Sequence, residues 1–88
     1  MRVVIRGSFT RDIKKIRDAK LQARVRECVE SARIVASIGE IANILPMTDH
    51  QNYYRVRIAD YRIGLYLEGD AVEFIRFSTR RDFYRSFP

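Results

Sequence analysis

The chain has 88 residues, which is enough for one domain with one modest hydrophobic core and too few for two. Hydrophobic residues make up 47% of it and charged residues 32%, with only four Gly and two Pro, a composition that excludes a disordered protein. The formal net charge of +6 favours an anionic partner, either nucleic acid or a short acidic protein segment.

Cysteine content and apolar runs indicate the compartment. Cys28 has no second cysteine with which to form a disulfide, and no cluster of Cys and His is present to bind a structural metal. The N-terminal apolar run is far shorter than that of a signal peptide, and no stretch approaches the roughly 20 apolar residues of a membrane span. These features predict a reducing, cytoplasmic location and no membrane contact.

Helical periodicity is expected in the first half of the chain. A short strand over Val3–Ile5 is followed by Gly7 and by Ser8, a favourable helix N-cap. Apolar residues at intervals of three and four then predict a short helix from Phe9, and a longer amphipathic helix that begins after Asp18 and ends before residue 39. The two helices should form a hairpin.

Alternating apolar and polar residues replace the helical pattern in the second half. The intervening segment, residues 39–52, is the least regular part of the chain, because Pro46 prevents a helix and Asp49–Asn52 form a polar loop. It allows only a brief edge strand over Ile41–Leu45. Three strands with hairpin-length connections then predict an antiparallel meander, followed by a short helix or tail over Arg81–Phe87. The strands are expected at Tyr53–Ile58, Tyr61–Leu67 and Ala71–Phe77.

The alternation also predicts which side chains share a face of the sheet. Apolar side chains of the first meander strand should meet the helices, so Arg55 and Arg57 should lie on an uncovered face. In the next strand Arg62, Gly64 and Tyr66 should lie there too, and Gly64 would let a ligand or a backbone approach closely. The third strand has apolar residues on both faces, so its orientation stays open. Guanidinium groups and phenols gathered on one face are suited to holding a nucleic-acid phosphate.

The order of strand, helical hairpin and meander, with the motifs YRVRIADYRI and RRDFY, resembles the RelE/ParE toxin superfamily over essentially the whole chain. The resemblance implies an α+β fold in which residues 1–88 form a single RelE-like toxin domain. It implies the toxin of a type II toxin–antitoxin system, a ribosome-dependent endoribonuclease that cuts mRNA in the decoding site and inhibits translation. The implied partners are a cognate antitoxin, the ribosome and mRNA, with operator DNA bound only through the antitoxin complex.

Matching the family motifs residue by residue assigns the functional positions. The implied catalytic residues are Arg55, Arg57, Arg62, Arg80 and Tyr84. The RNA-binding candidates are Tyr66, Arg76, Arg81 and His50. In the family reaction the ribose 2′-hydroxyl attacks the adjacent phosphate, giving a cyclic phosphate and a free 5′-hydroxyl, with no metal and no other cofactor. Arginine forks could stabilise the extra negative charge of that transition state, and Arg57, Arg62 and Arg80 are all expected to be exposed for this purpose.

The general base is not assigned by the motifs. Arginine cannot readily remove a proton, because its pKa lies above ~12. Many relatives have His at the position before Arg80, where this chain has Thr79. His50 suits acid–base chemistry, although its place in a polar loop favours a solvated histidine without a catalytic role. Glu73 is expected to pair with a neighbouring Arg instead.

Two other functions stay open at this point. In a ParE-like role the same fold would poison DNA gyrase through protein contacts and cut no RNA. In a regulatory role it would bind its antitoxin and operator DNA without toxicity. The arginines could also form a solvated sheet face paired with Asp60, Glu68 or Asp70. The concentration of basic and aromatic residues at the family positions favours RNA cleavage.

Overall fold

A five-stranded sheet lies at the centre of the computed structural model, which describes residues 1–88. The strands are β1 (Arg2–Ile5), β2 (Ile44–Pro46), β3 (Tyr53–Ile58), β4 (Tyr61–Glu68) and β5 (Ala71–Thr79). The helices are α1 (Gly7–Lys14), α2 (Ala19–Ile34) and α3 (Arg80–Ser86), and a 3-10 turn covers Ile38–Glu40. No helix here combines the length and the apolar character that crossing a membrane requires.

The strand order is β1-β5-β4-β3-β2. Strands β2 to β5 pair with one another in antiparallel fashion, which confirms the predicted meander and the brief edge strand. Strand β1 instead pairs in parallel with β5, with Arg2 opposite Ala71. Such a pairing joins segments far apart in the sequence, and no pattern within β1 itself predicts its partner.

Helix α2 supplies one side of the core. Its first turn is capped by Asp18, whose side chain accepts hydrogen bonds from the N–H groups of Lys20 (2.9 Å) and Leu21 (3.2 Å). One stripe of the helix is buried against the sheet, at the spacing of three and four that the sequence predicted. It consists of Leu21, Val25, Cys28 and Ala32. Each large apolar side chain buried in this way stabilises the fold by roughly 1.5–3 kcal/mol.

Helix α1 closes the edge of β5 beyond the end of β1. The prediction that Ser8 caps this helix is wrong, because the helix already begins at Gly7 and no side chain caps it. Ser8 Oγ instead donates a hydrogen bond to the Ile75 carbonyl (2.5 Å), and buried Asp12 Oδ2 accepts one from the Phe77 N–H (2.8 Å). The polar groups on this edge of β5 are thus paired with side chains of α1.

A β-bulge in β5 explains why the orientation of this strand could not be read from its sequence. The register passes from Gly64 opposite Arg76 to Leu65 opposite Phe74, which leaves Ile75 as the extra residue. The alternation therefore changes phase at Ile75, and both Phe74 and Phe77 are buried in the core although they are three residues apart.

Helix α3 lies on the sheet face opposite α2 and corrects the expectation that this face is uncovered. Phe83 is fully buried, and Phe87, just after the helix, is nearly so. A Cβ atom on Gly64 would lie only 2.6 Å from Cε1 of Phe87. Gly64 does permit a close approach, as predicted, but the approaching group is the protein's own aromatic ring. We call this face, with α3 resting on it, the α3 face.

Candidate functional site

The register places the predicted site residues of the strands in three rows across the α3 face. One row joins Arg57, Arg62 and Ser78, the next joins Arg55, Gly64 and Arg76, and the third joins Tyr53, Tyr66 and Glu73. Neighbouring rows are two residues apart along a strand, a separation of roughly 7 Å. The predicted facing of these residues on β3 and β4 is therefore confirmed.

Helix α3 divides these rows into two sides. Tyr84 and Arg55 line one cavity together, whereas Asp82 and Ser86 line another with Arg76. The buried rings of Phe83 and Phe87 lie between the two sides. The guanidinium groups of Arg55 and Arg76 thus face different sides of α3, although their strand positions belong to the same row.

The side that contains Arg55 forms a basic groove between β2 and α3, which we call the arginine groove. One part, of about 230 Å³, is lined by Leu45, Pro46, Met47, Thr48, Arg55 and Tyr84. An adjoining part, of about 240 Å³, is lined by Asn43, Ile44, Leu45, Arg55 and Arg57. The sequence did not predict this β2 wall as part of a site, because only a brief edge strand was visible there.

The arginines of the groove have no carboxylate partner. The structure contains four ion pairs, and none involves Arg55, Arg57 or Arg80. Asp70 pairs with Arg2, at 3.5 Å. The alternative of a sheet face neutralised by Asp60, Glu68 and Asp70 is therefore not realised. Unpaired guanidinium groups beside an exposed tyrosine are able to bind phosphate oxygens in a bidentate manner.

Arg80 begins α3 next to the turn between β3 and β4. Its backbone N–H donates to the Asp60 carbonyl (2.8 Å), and Thr79 Oγ1 caps the helix by accepting from the Asp82 N–H (3.4 Å). Arg80 lies one helical turn before Tyr84, so both belong to the stripe next to the arginine groove. Arg81 is exposed and lies on the side of α3 away from the buried Phe83.

Arg62 is buried, which contradicts the expectation that it is exposed. Only 8% of the residue is accessible, and its Nη1 donates to the carbonyls of Ala59 (3.2 Å) and Tyr61 (2.9 Å). Its Nε is buried without a partner. The side chain supports the β3–β4 turn, where Ala59 has a positive φ of 51°. The prediction that Arg62 is exposed is wrong because α3 covers its position in the sheet. Strand alternation carries no information about such packing.

Arg76 is also engaged within the protein. Its Nε donates to Asp12 Oδ2 (2.8 Å) and its Nη2 to Asp12 Oδ1 (3.3 Å), a bidentate pair on the far side of α3 from the arginine groove. Asp12 was not among the residues predicted from the sequence. Its signal was a carboxylate three residues after Phe9, on the apolar stripe of α1.

Tyr66 and His50 lie near the third row. The Tyr66 and Tyr53 ring centroids are 4.7 Å apart, and the ring of Phe87 packs edge-on against Tyr53 at 5.6 Å. His50 is exposed, 6.3 Å from Tyr53 between ring centroids, and does not line the arginine groove. Glu73 pairs with Arg6 (2.6 Å), which confirms the predicted ion pair for that residue.

Comparison with known proteins agrees with this architecture. No family model matches the chain. Over 89 aligned residues, which span the whole of both chains, the sequence is 29% identical to Toxin RelE3 of Methanocaldococcus jannaschii.

Three solved structures have a fold similar to that of this chain. A chain of the RelB–RelE antitoxin–toxin complex from Methanococcus jannaschii superposes with a TM-score of 0.83 and 27% identity, covering 97% of this chain and 99% of that one. The archaeal RelE–RelB complex from Pyrococcus horikoshii gives a TM-score of 0.73 at 16% identity, covering 90% and 93%. YafQ from Escherichia coli gives 0.69 at 16%, covering 96% and 99%.

The fold and the groove define a small α+β protein whose sheet carries unpaired arginines beside a C-terminal helix that carries a tyrosine. Similarity in sequence and in structure extends over nearly the whole chain. The chain is similar in sequence and in fold to RelE-like toxins.

Proposed function

We propose that this protein is the toxin of a type II toxin–antitoxin system and acts as a ribosome-dependent endoribonuclease on mRNA. The observation that carries the proposal is the arginine groove, where Arg55 and Arg57 have no carboxylate partner and Tyr84 is about half exposed. A groove of this charge suits a polyanionic strand.

In this mechanism the 2′-hydroxyl of one nucleotide attacks its own 3′-phosphate. The 2′-hydroxyl gives its proton to water as its oxygen forms a bond with phosphorus. The bond from phosphorus to the 5′-oxygen breaks, and that oxygen takes up a proton from water and leaves as a 5′-hydroxyl. Arg55, Arg57 and Arg80 bind the non-bridging oxygens, whose charge increases in the transition state. Tyr84 orients the substrate either by stacking on a base or by donating a hydrogen bond from its hydroxyl group to the phosphate.

Arg62 has a positioning role in this proposal. Because it is buried beneath α3, it does not reach a phosphate in the arginine groove, and it acts by holding the turn that precedes β4. Arg76, paired with Asp12, contributes positive charge on the other side of α3. Arg81 and His50 remain candidates for contacts with RNA outside the groove.

The proposed partners follow from the same function. The ribosome presents the mRNA, and a cognate antitoxin holds the toxin inactive, as the RelB–RelE and RelE–RelB complexes suggest for two archaeal relatives. Operator DNA is bound only through the antitoxin. The protein then works in the cytoplasm, where translation takes place.

The experiment is to map mRNA 5′ ends in a cell-free translation reaction with and without the purified protein. We expect new ends in register with codons, only on translated message. The Arg57→Ala variant should lower the yield of these ends about 100-fold or more, the usual loss for one transition-state charge contact. Arg26→Ala removes the same charge from the exposed side of α2, outside the groove, and should cut normally.

Uncut message with continuing translation would overturn the proposal. Inhibition of gyrase supercoiling by the same preparation would then favour the ParE-like role, and binding to an antitoxin without either activity would favour the regulatory one.

A further inference from the structure

A second cavity on the α3 face lies at the opposite end of the sheet from the β3–β4 turn. Its volume is about 390 Å³. The aromatic walls are Tyr53, Tyr66 and Phe87, and the bulge residue Ile75 adds apolar surface. The charged groups that line the cavity are Arg6, Glu73 and the exposed Glu68 at its rim. The residues assigned to phosphate binding do not line it.

The aromatic part of the cavity is suited to a flat ring. Tyr53 and Tyr66 are partners across β3 and β4, and the edge-on packing of Phe87 against Tyr53 fixes the wall. Neither tyrosine hydroxyl has a hydrogen-bond partner within the protein. Unstacked RNA bases bind to such aromatic surfaces with little regard to sequence.

The polar part of the cavity can distinguish between bases, which the aromatic part does not. Glu73 Oε1 accepts a hydrogen bond from Arg6 Nη1 at 2.6 Å, and only 12% of the Glu73 side chain is accessible. Its second oxygen, Oε2, has no partner in the protein, and it is not among the atoms buried without one. A carboxylate oxygen that can only accept therefore borders the cavity, beside a guanidinium group with free N–H donors.

We infer that this cavity binds one RNA base and that Glu73 favours bases with an exocyclic amino group. The inference rests on the proposed function, since the cavity borders the row of Arg55, roughly 7 Å along the sheet. Adenine, cytosine and guanine can donate from an amino group to Glu73 Oε2. Uracil has no amino group, and its single ring N–H lies between two carbonyl oxygens that the carboxylate repels.

The test compares binding of two non-cleavable RNA hexamers, 2′-O-methyl oligo(C) and oligo(U), to the full chain by fluorescence anisotropy at low salt. Both bases are pyrimidines of similar size, so stacking contributes similarly to each. We expect oligo(C) to bind about tenfold more tightly, because one charge-assisted hydrogen bond is gained. In Glu73→Gln the amide can also donate, and the ratio should fall to about one.

The matched control is Asp70→Asn. It removes the carboxylate that pairs with Arg2, at the residue just before β5, and this carboxylate lies outside the cavity. It should keep the tenfold preference, which separates base recognition from loss of an ion pair.

Equal binding of the two hexamers by the unaltered protein, or no binding of either, would overturn the inference without any variant. An unchanged ratio in folded Glu73→Gln would do so as well. The binding result is independent of cleavage. A protein that selects oligo(C) through Glu73 but leaves mRNA uncut refutes only the proposed nuclease activity. A protein that cuts mRNA without this preference refutes only the base site.

Discussion

Arg57 and Arg62 are partners across β3 and β4, yet only Arg62 is buried. The two side chains look equivalent in the sequence, since both alternate with apolar residues. They differ because the start of α3 covers one strand and leaves the other open to the arginine groove. A buried guanidinium group whose partners are two carbonyls is part of the fold, so loss of activity in an Arg62 variant is not by itself evidence of phosphate binding.

Replacement of Arg62 by Ala should therefore destabilise the protein. The carbonyls of Ala59 and Tyr61 lose their charged donor at a turn with a positive φ, and we expect a cost of about 1–3 kcal/mol in the free energy of unfolding. Urea denaturation followed by circular dichroism measures it. Arg57→Ala serves as the control, and its exposed side chain should change stability by less than about 0.5 kcal/mol. Equal midpoints for the two variants would show that Arg62 has no role in the fold.

At the scale of elements, α3 determines which parts of the sheet a ligand can reach. The Phe87 ring, just after the helix, occupies the space above Gly64, and the two flanks of α3 form walls for different cavities. The contact between Phe87 and Gly64 leaves no room for a side chain, because a ring carbon would lie 2.6 Å from any added Cβ. The position of α3 thus depends on the absence of one methyl group.

The Gly64→Ala variant should loosen α3. The added methyl group cannot share the space of the Phe87 ring, so we expect a loss of about 1–3 kcal/mol in the free energy of unfolding. Faster hydrogen exchange at the amides of residues 83–87 should accompany it. In the Gly39→Ala control the methyl group meets no atom within 4 Å, so exchange in α3 should not change. A Gly64→Ala protein with normal stability and normal exchange would mean that Phe87 moves aside without cost.

The helices and strands were more predictable from the sequence than the way in which they pack over one another. The bounds of β3 and the capped start of α2 follow from local signals, namely alternation and the Asp18 side chain. The burial of Arg62, the bulge at Ile75 and the bond from Ser8 to β5 depend on contacts between distant segments. Local periodicity carries no information about those contacts. The arginines of the groove were identified by motif, whereas the β2 wall and Asp12 became visible only in the fold.

At the scale of the whole molecule, both longer helices and the sheet share one core, and Cys28 lies within it. Burial raises the pKa of the Cys28 thiol from its ordinary value of 9.0 to about 11. The thiol is thus protonated in the folded protein at pH values where the unfolded chain has already lost the proton. Its contribution to stability is complete below about pH 9 and is lost as the pH rises toward about 11.

Alkaline unfolding should reveal this linkage. Between about pH 8 and about pH 11 the free energy of unfolding should fall by about 2–3 kcal/mol more in the unaltered protein than in Cys28→Ala, which keeps every other titrating group. Urea denaturation at a series of pH values measures both slopes. Parallel slopes for the two proteins would show that the thiol ionises without opening the core.

The parallel pairing of β1 with β5 has a consequence for the order of events during synthesis. The first strand leaves the ribosome early, but its partner is made only after β2, β3 and β4, so the β1–β5 pairing and α1's cover of the β5 edge form late. Helix α3 is made later still, and with it Tyr84 and the wall beside Arg55. A partly made chain therefore carries the strand arginines without a complete groove. If the groove is the nuclease site, the chain gains its activity only after α3 has been translated.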